Sequence, residues 1–164
     1  MKVSLVAAIT LDGYISRTTD KIADWTSKED KKVFVEITKR AGVIIMGGTT
    51  FRTIGRALPG RRNIVYTKGA IDVEGIETTS EEPRVLLERL EREGCTEVAI
   101  CGGAAIYGMF LAADVVTDLY LTIEPVLFGS GISLSSVSLE TIATLKDIRQ
   151  LNESTVLMHY EVQN

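Results

Sequence analysis

Two apolar tetrads, each running into a pair of glycines, constrain this chain more than any other feature. Val43-Ile44-Ile45-Met46 leads into Gly47-Gly48-Thr49-Thr50, and Val98-Ala99-Ile100-Cys101 leads into Gly102-Gly103-Ala104-Ala105-Ile106-Tyr107. A short, continuous apolar run bounded by turn residues fits a strand buried on both faces. Residues beyond each glycine pair read as a helix. Strand, tight turn and helix occurring twice predict an α/β sandwich with a largely parallel sheet. Glycine also admits close approach of a ligand to the backbone, and a helix N-terminus presents N–H groups and partial positive charge suited to phosphate. Two such turns at the carboxyl ends of parallel strands could hold both phosphates of a dinucleotide. Neither turn matches GxGxxG or the P-loop, and β-to-α turns also carry glycine for steric reasons alone.

The rest of the chain extends this alternation. Strands are expected over residues 3–9, 43–46, 63–67, 75–78, 98–101 and 119–123, with helices over 27–40, after 47–50, from Pro83 to near Gly94, and after Gly103. Asp12-Gly13 marks a turn in a loop spanning 10–25. Residues 143–149 and 155–162, joined through Asn152-Glu153, predict a C-terminal antiparallel hairpin. With no repeat or linker in 164 residues, a single domain over 1–164 is expected.

Composition narrows the function classes. The formal net charge is −4 with no basic stripe, which argues against a nucleic-acid partner. No apolar run is long enough to span a bilayer. The N-terminal MKVSLVAAITLDG is short and leads into a turn without a processing site, so a buried strand is expected rather than a signal peptide. Cys95 and Cys101 match neither CxxC nor zinc spacing, and a reduced, cytoplasmic setting is the expectation. His159, the only histidine, lies in a late strand, which weakens histidine triads and metal sites; no metal is expected.

Asp30 is the acid that most invites a chemical role. It shares a helix face with Phe34 and Ile37 by i, i+4, i+7 spacing, and a carboxylate among apolar groups favours a raised pKa. The competing reading is a capping box, Ser27-x-x-Asp30, with Asp30 in the first helical turn. The residues alone leave both open.

Taken together, VSLVAAITLDGYIS, WTSKEDKKVF, VIIMGGTTFRTIGRALPGRRNIVYT, ICGGAAIYGMF and LYLTIEP resemble the dihydrofolate reductase family in order and spacing across nearly the whole chain. PVLFGSGI and LNESTVL resemble its dimeric branch from hyperthermophilic bacteria, and the former also occurs in the related riboflavin-pathway pyrimidine reductases. The resemblance implies the family's three-layer sandwich and NADPH-dependent reduction of 7,8-dihydrofolate. Its alternative is reduction of a ribosylaminopyrimidine phosphate.

By the same resemblance Asp30, spaced from Trp25 as in the family, binds the pterin 2-amino group and N3 and assists protonation at N5, with Thr122 hydrogen-bonded to it. Ala8, Trp25, Phe34 and Ile54 line the substrate site, and Arg61 grips the glutamate α-carboxylate. For the cofactor, Ala8, Ile15 and Ser16 line the nicotinamide pocket and Tyr107 flanks the ring. Gly47, Gly48, Thr49, Thr50, Cys101, Gly102, Gly103, Ala104, Ala105 and Ile106 contribute the dinucleotide cradle. Thr67 and Lys68 lie by the 2′-phosphate. Gly48 replaces the arginine usual in the family, leaving Lys68 as the expected counter-charge. Lys31 replaces an apolar residue common near the pterin. The apolar segment with Val126, Leu127, Phe128 and Ile132 is expected to lie exposed in a monomer and to mark a homodimer contact.

Overall fold

The computed structural model describes residues 1–19 and 24–163. Its elements are β1 (Lys2–Thr10), β2 (Tyr14–Ser16), α1 (Lys28–Ala41), β3 (Val43–Gly47), α2 (Gly48–Ile54), β4 (Arg62–Tyr66), β5 (Ile76–Thr79), α3 (Pro83–Arg92), β6 (Glu97–Ile100), α4 (Ala104–Ala112), β7 (Asp118–Glu124), β8 (Ile132–Ser133), β9 (Ile142–Gln150) and β10 (Val156–Gln163). Eight strands form one sheet in the order β5-β4-β3-β6-β1-β7-β10-β9. Pairs from β5 through β7 are parallel, and β10 runs antiparallel to both β7 and β9. The fold is therefore the expected sandwich with a C-terminal antiparallel hairpin.

Alternation along the strands sorts side chains into two cores. Val3, Leu5 and Ala7 of β1 join Val43, Ile45, Leu86, Leu90, Ile106 and Phe110 beneath α3 and α4. Val6 joins Ile44, Met46, Val33, Ile37 and Phe51 beneath α1 and α2. Both faces of the central strands are thus covered, which explains the unbroken apolar tetrads.

Helix α1 begins at Ser27, whose hydroxyl accepts the backbone N–H of Asp30 at 3.1 Å. Such a cap contributes roughly 1 kcal/mol. The helix stops at Gly42, at φ 73°, a left-handed conformation that favours glycine. Pro83 sits in the first turn of α3, where its missing N–H costs nothing.

A second, two-stranded sheet pairs β2 with β8. It corrects the expectation that both segments are plain loops. Two and three residues are too few for periodicity to register. The Asp12 carboxylate accepts the N–H groups of Phe128 and Gly129, at 3.1 and 2.7 Å, binding the segment after β7 to the turn after β1. Residues 20–23 of the loop between β2 and α1 lie outside the described residues. The expected exposed patch is also corrected. Of Val126, Leu127, Phe128 and Ile132 only Leu127 is exposed. Phe128 packs edge-on against Trp25 at 5.2 Å and beneath the Arg17 guanidinium at 4.0 Å.

Candidate active site

Strands β3 and β6 are neighbours, so their glycine turns lie side by side at the carboxyl edge of the sheet. Gly47 N–H donates to the Gly102 carbonyl at 2.8 Å. The cradle is tight. A Cβ on Gly103 would stand 3.3 Å from Thr50 Oγ1, and one on Gly47 would stand 3.0 Å from Ile106 Cγ1. Helix α4 starts at Gly103 with no side-chain cap. Ala104, Ala105 and Ile106 form its first turn. Gly102 and Gly103 are joined by a cis peptide.

Tyr107 is buried, and its hydroxyl donates to the Val6 carbonyl at 2.7 Å, tying α4 to β1. Burial pushes its phenol well above the ordinary value. Cys101 is also buried, its thiol pushed up to about 12, so it acts as an apolar lining group. Both thiols, Cys95 and Cys101, are free.

Asp30 belongs to the other half of the site. On β7, Tyr120 packs beneath α1, and strand alternation puts Thr122 and Glu124 on the same face. Ala8 is the register partner of Thr122 on the adjacent β1. Asp30 comes down on this corner from the first turn of α1. Burial raises its pKa, while hydrogen bonds from Thr122 and Thr26 partly oppose the rise. Phe34, one turn further along α1, and Ile54, at the end of α2, are half-buried against the α1-side core. Arg61 reaches the same face: its Nη1 donates to Thr38 Oγ1 at 2.8 Å and its Nε to the Pro59 carbonyl at 3.1 Å.

Around the expected nucleotide end, Thr67 follows β4 and Lys68 is exposed beside it. Arg52 is a residue that sequence reasoning missed. Its Nη1 lies 3.6 Å from the place a Gly48 Cβ would take, and its Nη2 donates to Thr49 Oγ1 at 2.9 Å. The i, i+4 spacing of Gly48 and Arg52 on α2 was the available signal. Ile15 and Ser16 sit in β2. Ile15 packs on the α4-side core, and the Ser16 hydroxyl donates to the Thr18 carbonyl at 2.6 Å.

His159, outside this corner, is accounted for within the fold. His159 Nε2 lies 2.6 Å from Asp118 Oδ1, and its ring stacks on Tyr120 at 4.3 Å. Among the described residues no cluster of His, Cys, Asp or Glu is disposed to hold a metal ion, and no helix is long and apolar enough to cross a membrane.

This arrangement defines an α/β sandwich with paired glycine turns and, at the carboxyl edge of its sheet, the partly buried Asp30. Solved structures share the fold. A putative riboflavin biosynthesis protein from a Shewanella species superposes over the whole of both chains with TM-score 0.80 at 17% identity. A diaminohydroxyphosphoribosylaminopyrimidine deaminase/5-amino-6-(5-phosphoribosylamino)uracil reductase from Thermotoga maritima superposes with TM-score 0.77 at 16% identity over 98% of this chain and 56% of its own.

The chain belongs to the dihydrofolate reductase family, an oxidoreductase family whose model matches residues 2–129. Type 3 dihydrofolate reductase of Salmonella typhimurium is 35% identical over 124 residues, 74% of this chain and 71% of the relative. Dihydrofolate reductase of Staphylococcus haemolyticus is 35% identical over 126 residues, 74% and 69% of the two chains. The uncharacterized protein YwjB of Bacillus subtilis is 28% identical over 97% of both chains.

Proposed function

We propose that the protein, acting as one domain over residues 1–164, is a cytoplasmic dihydrofolate reductase that reduces 7,8-dihydrofolate to tetrahydrofolate with NADPH. The observation that carries this reading is the Asp30–Thr122 pair, a partly buried acid held by a threonine beside Ala8 and Phe34.

NADPH, when bound, supplies the hydride. The cradle fits its diphosphate, because side chains larger than hydrogen at Gly47 and Gly103 would crowd Ile106 and Thr50. Thr49, Thr50 and the first turn of α4 would hold the phosphates. Arg52, Thr67 and Lys68 would meet the 2′-phosphate, Arg52 standing in for the arginine that Gly48 lacks. Asp30 would orient the pterin through its 2-amino group and N3, and would deliver the proton to N5 directly or through water. Arg61, fixed at one end by Thr38, would bind the glutamate α-carboxylate. The segment from Thr10 to Trp25 would exclude water from the reacting rings.

A second reading is reduction of a ribosylaminopyrimidine phosphate, favoured by full-length similarity to the Shewanella riboflavin biosynthesis protein. Asp30 and Arg61 match a pterin and its glutamate tail better than a sugar phosphate. Loss of reduced-nicotinamide absorbance with dihydrofolate, measured beside the ribosylaminopyrimidine phosphate, decides between them. Turnover confined to the second substrate overturns the first reading.

The reading includes a homodimer, supported by a different surface from the one expected. Edge strand β9 has one side unpaired and exposes Ile142, Leu145 and Ile148. Pairing of this edge with a second copy would cover the open strand and its apolar side chains under two-fold symmetry. Light scattering should give twice the monomer mass for the wild type and the monomer mass for Ile148→Lys. A monomeric wild type at micromolar concentration overturns it.

A further inference from the structure

Glu124 closes β7, two residues beyond Thr122, and its side chain is 2% exposed. A carboxylate so deeply placed needs donors, and both of its oxygens have one. Oε1 accepts the backbone N–H of Ser27 at 2.7 Å, and Oε2 accepts the Thr155 hydroxyl at 3.0 Å. The first bond joins residues 97 positions apart in sequence.

The identity of that N–H matters. Ser27 is the N-cap of α1, and its hydroxyl serves Asp30 N–H. In a complete capping box the acid at Asp30's position would reach back to the N-cap N–H. Glu124 takes that N–H instead, and the Asp30 carboxyl turns to Thr26 and Thr122. The helix keeps its cap while its first-turn acid is released.

We propose that Glu124 is a positioning residue for Asp30, completing the α1 cap in Asp30's place and setting a second carboxylate beside it on the same face of the sheet. Its consequence for activity rests on the reading of Asp30 as the proton donor.

The electrostatics agree with the geometry. Charged and titratable groups facing Asp30 are Glu124 from β7, Lys31 from α1 and Tyr107 from α4. Glu124 opposes ionisation of Asp30 and so acts with burial, whereas Lys31 and the hydroxyls of Thr26 and Thr122 act against it. Hydrogen-bonded as it is from two elements, Glu124 keeps its distance from Asp30 fixed. The acid form of Asp30 therefore persists to higher pH than it would without the Glu124 carboxylate.

Glu124→Gln separates charge from architecture. The amide oxygen still accepts from Ser27, and the amide nitrogen can donate to Thr155 Oγ1. The Asp30 side-chain carboxyl can be titrated by ¹³C NMR in the ligand-free protein, with Asp30→Asn assigning its resonance. The Asp30 midpoint should fall in Glu124→Gln, because the neighbouring negative charge that opposes its ionisation is gone. The alkaline limb of the activity profile should move down equally, with NADPH affinity unchanged. An unmoved Asp30 midpoint overturns the proposal whatever the activity does. A midpoint that falls without moving the activity profile upholds the positioning role and overturns Asp30 as proton donor. Should the variant not fold, Thr155→Val, which removes one of the two donors that hold Glu124, decides: a moved Asp30 midpoint upholds the positioning role and an unmoved one overturns it.

Discussion

Arg61 donates to the hydroxyl of Thr38 at 2.8 Å, and that hydroxyl donates onward to the Phe34 carbonyl at 2.6 Å. One end of the guanidinium is therefore fixed to α1 close to the backbone of the residue expected to pack on the pterin. Arg61→Ala should raise KM for dihydrofolate by at least tenfold, since a charge-assisted contact is worth roughly 1.5–3 kcal/mol. KM for a pterin without the glutamate tail should scarcely change. Steady-state kinetics on both substrates checks this, and equal losses on the two would remove Arg61 from the tail site.

Asp30→Asn should lower turnover near neutral pH by about 10²–10⁴-fold, the usual range for general acid–base assistance. Its effect on stability should have the opposite sign. The folded state raises the Asp30 pKa, so it binds more protons than the unfolded chain at pH values above the ordinary 3.8. Stability from this group is present below that pH and is lost as pH rises through the folded value. Thermal melts should show Asp30→Asn more stable than wild type at pH 7, with the difference shrinking toward pH 3.5. A variant that is less stable at pH 7 and fully active would return Asp30 to a plain capping role.

Nucleotide preference should depend on Arg52 as well as Lys68. Each alanine variant should weaken NADPH binding severalfold while leaving NADH nearly unchanged, and the double variant should erase the preference. Fluorescence titration measures both constants. Gly48→Arg should add little, because Arg52 Nη1 already stands 3.6 Å from that position. An unaltered NADPH-to-NADH ratio in the double variant would place the 2′-phosphate elsewhere.

Gly131→Ala probes the small β2–β8 sheet. A Cβ there would meet the Ser16 carbonyl at 2.5 Å, a backbone atom that can move only with its strand. Overpacking of this kind costs roughly 1–3 kcal/mol. Urea unfolding should show the loss, and affinity for the nicotinamide nucleotide should fall with it if Ile15 and Ser16 line that pocket. Unchanged affinity beside lost stability would remove β2 from the cofactor site.

The legible parts of this molecule were those in which chemistry and chain neighbourhood coincide. Apolar tetrads before glycine gave β3 and β6, and Ser27 with Asp30 gave the start of α1. What stayed hidden depends on distant partners. No local pattern shows that Glu124 takes the Ser27 N–H, so the two roles of Asp30 could not be separated in sequence. Phe128 read as exposed because nothing nearby in the chain announces Trp25 or Arg17 above it. Arg52 stayed hidden because its place beside Gly48 depends on its long side chain folding back along α2 to Thr49, which no spacing rule fixes.

The order of the sheet also governs when this site can come into being. Strand β6 lies between β3 and β1, yet β3, β4 and β5 all precede it in the chain. During synthesis, β1 and β3 each wait with an open edge until β6 leaves the ribosome and slides between them. Only then do Gly47 and Gly102 meet. The paired-glycine cradle is thus a late product of assembly, and any nascent chain stalled before residue 97 carries two unpaired, strongly apolar edges that invite aggregation.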